Sequence, residues 1–93
     1  MNPQTTEDAQ AFFELANRFV ALANDLGEDH GRARVAAALL WAASRYGAFA
    51  WAMSGASGRQ AREEALDLFG AQYRKMMEDN LARMLAEFTP PAG

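Results

Sequence analysis

The sequence predicts an all-α protein, a three-helix up-down bundle with a long C-terminal helix, packed as a homo-oligomer. Three observations lead there. Strand formers are scarce: isoleucine is absent, the β-branched residues are only Val20, Val35, Thr5, Thr6 and Thr89, and alanine occurs 21 times. Apolar residues recur every three or four positions in three long runs, which is the period of a helix face. Two glycine-bounded segments, residues 27–31 and 55–58, separate those runs. At 93 residues and 10.2 kDa, a compact fold exposes about 5,300 Å² and buries roughly 64% of the extended chain's surface. One domain covering residues 1–93 is therefore expected, with helices over approximately 7–26, 32–54 and 59–88.

The first helix is expected to start after Thr5 or Thr6, whose hydroxyls suit the free amides of a first turn, with Glu7 and Asp8 facing the positive end of the dipole. Phe12, Leu15, Phe19, Leu22 and Leu26 follow heptad spacing, and Ala9, Ala16 and Ala23 line one edge of the stripe. Gly27 is expected to supply the left-handed stop, and residues 27–31 a short connection.

The second helix offers several apolar faces. Val35, Leu39, Ala42, Tyr46, Phe49 and Met53 form one stripe, and Ala37, Leu40, Trp41, Ser44, Ala48 and Trp51 lie opposite. Between them runs a ridge of small residues, Ala36, Ala43, Gly47, Ala50 and Ser54. Gly47 costs about 1 kcal/mol of helix stability relative to alanine, a cost that makes sense where another helix approaches closely.

The third helix follows Ser57 and Gln60, whose spacing suits a capping box. Leu66, Phe69, Tyr73, Met77, Leu81, Met84 and Phe88 mark its apolar stripe, and Arg74–Glu78, Lys75–Asp79 and Asp79–Arg83 stand at ion-pairing distance in sequence. Pro90 and Pro91 are expected to end it. At about 45 Å it outreaches the other two helices.

Two neighbouring helices cover two faces of the second helix, and a third face remains. Leu40, Trp41, Ala43, Gly47, Phe49 and Trp51 are the candidates for an interface, and a homodimer is the simplest closed assembly. Charge is partitioned along the chain as well. Residues 1–31 sum to -5, residues 32–62 to +5 without any acidic residue, and residues 63–93 to -3. Arg45 is expected to reach from the apolar helix to a carboxylate, and Arg32 and Arg34 to pair with Glu28 and Asp29. The alternative is that the basic segment around Arg32, Arg34, Arg59 and Arg62 binds an anionic ligand or nucleic acid. Against nucleic acid stand a net charge of -3 and the lack of any recognised phosphate-binding or RNA-binding motif.

Catalytic chemistry finds little material. Without cysteine there are no disulfides, thiolate ligands or thiol nucleophiles. The one histidine, His30, would have to serve Ser44, Ser54 or Ser57, none of which lies in a nucleophile-elbow setting. Glu28, Asp29 and His30 are consecutive, so they do not converge on one ion as Glu-x-x-His pairs do. Glu63, Glu64 and Asp67 suit the start of a helix. No enzyme activity, cofactor or metal is expected. Residues 35–53 have the length of a membrane span, but Arg45 near the centre and the many alanines argue against insertion, and a cytoplasmic location is expected.

The stretch from Arg34 to Phe49, Arg-Val-Ala-Ala-Ala-Leu-Leu-Trp-Ala-Ala-Ser-Arg-Tyr-Gly-Ala-Phe, carries a family resemblance. Together with Leu15-Ala16-Asn17, Leu22-Ala23-Asn24 and the segment Tyr73 to Leu81, it resembles the bacterial domain-of-unknown-function family numbered 3144. The resemblance implies a small helical protein in a bacterial setting and no reaction, substrate or cofactor.

Overall fold

The computed structural model describes residues 3–88, with side chains from residue 6 onward. Three α-helices follow one another, α1 (Pro3–His30), α2 (Arg32–Met53) and α3 (Arg59–Phe88), and no strand occurs among the described residues. The bounds of α3 match the sequence expectation, and α2 ends one residue early. The proline stop at Pro90 and Pro91 lies outside the described residues.

The first helix departs most from expectation. It begins at Pro3, a residue whose fixed φ and missing amide suit the first helical position, so Glu7 and Asp8 fall beyond the first turn. Nor does it stop at Gly27. The Gly31 amide donates to the Gly27 carbonyl at 3.0 Å, the regular helical step, and it is Gly31 that takes the left-handed conformation, with φ 85°. The hydrogen-bond ladder resumes at once, because the Val35 amide donates to the Gly31 carbonyl at 3.1 Å. One residue therefore makes the corner between α1 and α2, in place of the expected five-residue connection. His30 ends α1, where an imidazole suits the negative end of the helix dipole.

The second corner is longer. The Ser54 amide is shared between the carbonyls of Ala50 and Trp51, Gly55 turns the chain at φ 87°, and Gly58 adopts φ 94°. Gly58 opens α3 by accepting the Arg62 amide at 3.0 Å. The expected capping box with Ser57 is replaced, since the Gln60 side chain donates forward to Glu64 at 3.2 Å. Along the outer face of α3, the expected pairs Arg74–Glu78 and Lys75–Asp79 form at 3.1 and 4.0 Å.

By proximity the chain divides into two units, Met1–Ala48 and Phe49–Gly93. In the first, partial cover falls on Ala16, Ala23, Gly27, Val35 and Gly47; in the second, on Trp51, Ala56, Ala61 and Ala65. No side chain among the described residues is buried. In the first unit a single residue in the left-handed conformation, Gly31, joins α1 to α2.

Candidate functional site

The candidate surface is apolar, and it is built from side chains that the helices hold in place but leave open. On α2, Leu40 is exposed, Trp41 is 63% exposed and Phe49 57%. Ala43 is exposed too, and only Gly47 and Trp51 of the six interface candidates are half-buried. A Cβ built on Gly47 would meet nothing within 4 Å, so the small-residue ridge is not filled by this chain. The stripe of α1 is open in the same way, from Phe12 at 59% to Leu26 at 42%, and Phe12 and Phe13 make an edge-to-face contact with centroids 5.2 Å apart. On α3, Leu66, Phe69, Tyr73, Met77, Leu81, Met84 and Phe88 are likewise exposed.

The basic candidates are arranged differently from the expected ion pairs. The Arg45 guanidinium carbon lies 5.7 Å from the centroid of the Trp41 ring, one helical turn away, within cation–π range. Among the described residues the ion pairs are Arg62–Glu63, Arg74–Glu78 and Lys75–Asp79; Arg32, Arg34 and Arg45 take part in none of them. Arg32 instead lines an open recess of about 450 Å³ inside the α1–α2 corner, together with Ala23, Asn24, Gly27, Glu28 and Gly31. Sequence reasoning misses this recess. Its signal is the four-residue spacing of Gly27 and Gly31, which removes side chains from the inner side of the corner.

Two of the three serines weighed as nucleophiles are engaged with the backbone. Ser44 Oγ donates to the Trp41 carbonyl at 2.7 Å and Ser54 Oγ to the Trp51 carbonyl at 2.6 Å, a common way for serine to sit within a helix. Glu28, Asp29 and His30 occupy consecutive positions of a helical last turn, so their side chains fan out by about 100° each. No helix among the described residues is long and apolar enough to cross a membrane.

Comparison with curated proteins and with solved structures returned no significant match. A protein-family model does match, and the match spans α2 entire and most of α1 and α3. The chain belongs to the DUF3144 family, described as a protein of unknown function, whose profile matches residues 12–84.

Proposed function

We propose that this protein is a self-associating helical module, a homodimer in its simplest form, that acts by binding rather than by catalysis. One observation carries the reading. Large apolar side chains on all three helices, including Phe19, Leu22, Trp41, Phe49, Phe69 and Leu81, are each more than two-fifths exposed. Soluble proteins rarely keep apolar surface of that extent in water, and fully covering each such side chain contributes about 1.5–3 kcal/mol. Sedimentation equilibrium at micromolar concentration tests the proposal. The expected mass is a multiple of 10.2 kDa, and a monomer would refute it.

The anion-binding alternative receives narrower support. Arg62 is paired with Glu63 at 2.8 Å, and Arg59 and Arg62 belong to a different unit from Arg32 and Arg34. The support therefore rests on Arg32 and Arg34 at the start of α2, where Arg32 shares the recess with Glu28. Filter binding to DNA and RNA at low salt separates the two readings, since a purely self-associating module is retained with neither. A cytoplasmic bacterial setting belongs to the same proposal, and cell fractionation tests it.

A further inference from the structure

The apolar stripe of α1 carries its own specification of partner and direction. Written as heptads, Phe12, Phe19 and Leu26 hold one core position and Leu15 and Leu22 the other, all of them 42–59% exposed. One edge of the stripe is Ala9, Ala16 and Ala23; the other is Ala11, Arg18 and Asp25. Arg18 is the only arginine or lysine of α1, and it lies seven residues from Asp25, too far to pair with it within the helix.

We propose that two copies of this chain pair through α1 in an antiparallel seam. Leu15 of each copy faces Leu26 of the other, and Phe19 faces Leu22. This inference rests on the self-association proposed above. The charges select the alignment. In an antiparallel pair of helices the edge positions meet their own kind, so this register sets Arg18 of each copy against Asp25 of the other, twice by symmetry. Sliding by one heptad one way places Arg18 on Arg18, and the other way places Asp25 on Asp25. A parallel pair would set Arg18 over an alanine edge and gain no ion pair. On the opposite edge, Ala16 faces Ala23 of the second copy, and both are small enough to let the backbones approach.

Charge reversal tests the seam at low salt, with the dimer constant read by sedimentation equilibrium and helix content by circular dichroism. Arg18→Asp alone and Asp25→Arg alone each place like charges together twice, and each is expected to raise the dimer Kd about tenfold. An equimolar mixture of the two variants, and the double variant in one chain, restore opposite charges and are expected to recover wild-type affinity. Recovery in the mixture excludes simple misfolding, since each chain keeps its own substitution. Single variants that dimerise like wild type, or a mixture that fails to recover, would overturn the α1 seam while self-association stands. A monomeric wild type would overturn both.

Discussion

Arg45 stands over the ring of Trp41, with its guanidinium carbon 5.7 Å from the ring centroid, and the pair occupies one exposed side of α2. The sequence suggests a different partner for Arg45, a carboxylate on a neighbouring helix. The i,i+4 spacing explains the outcome, because residues four apart lie on one side of a helix and an aromatic face attracts a cation. Exposed contacts of this kind contribute about 0.5–1 kcal/mol. Arg45→Met should therefore lower the unfolding free energy by less than about 1 kcal/mol in urea titration. Trp41→Ala should raise the self-association Kd about tenfold or more, as loss of a tryptophan anchor does. Equal effects of both changes on the Kd would contradict the assignment.

Gly27 and Gly31 make a discriminating pair. An alanine at Gly31 must adopt φ near 85°, at a cost of about 1–2 kcal/mol. An alanine at Gly27 enters regular helix, where its Cβ would meet Arg32 Cγ at an ordinary 3.9 Å, and should stabilise by up to about 1 kcal/mol. Thermal unfolding of the two variants should move in opposite directions.

Gly70 lies inside α3, and a Cβ added to it would meet nothing within 4 Å. Gly70→Ala should raise stability by about 1 kcal/mol and leave the oligomeric mass unchanged. A loss of stability would reveal a close contact made by another copy.

Gly47 separates the chain from its assembly. The single chain leaves room beside it, so Gly47→Ala should strengthen α2 by about 1 kcal/mol. Gly47→Leu should weaken association about fivefold or more by overpacking a close helix contact. An unchanged mass and dimer constant for the leucine variant would put the small-residue ridge outside the interface.

Helix identity is legible in the sequence because period and propensity agree. The heptad run Phe12 to Leu26, the alanine-rich segment after Arg32 and the stripe Leu66 to Phe88 each form a helix, and Arg74–Glu78 pairs where i,i+4 spacing puts it. The start of α1 is harder to read, because Thr5 and Thr6 resemble caps whereas Pro3 already opens the helix. Its end is ambiguous for another reason, since Gly27 and Gly31 are equally able to take positive φ. The choice falls to Gly31, where the helical ladder from Gly27 is completed before the chain turns.

Residue order along one chain is enough to specify three helices, membership of the family and an excess of apolar surface on α2. Three-dimensional structure was needed to learn that a single residue joins α1 to α2, that Arg45 rests on Trp41, and that no described side chain is buried. Periodicity fixes which face of a helix is apolar. What covers that face depends on tertiary packing, and which of the two candidate glycines turns the chain is settled only in three dimensions, at Gly31 with φ 85°.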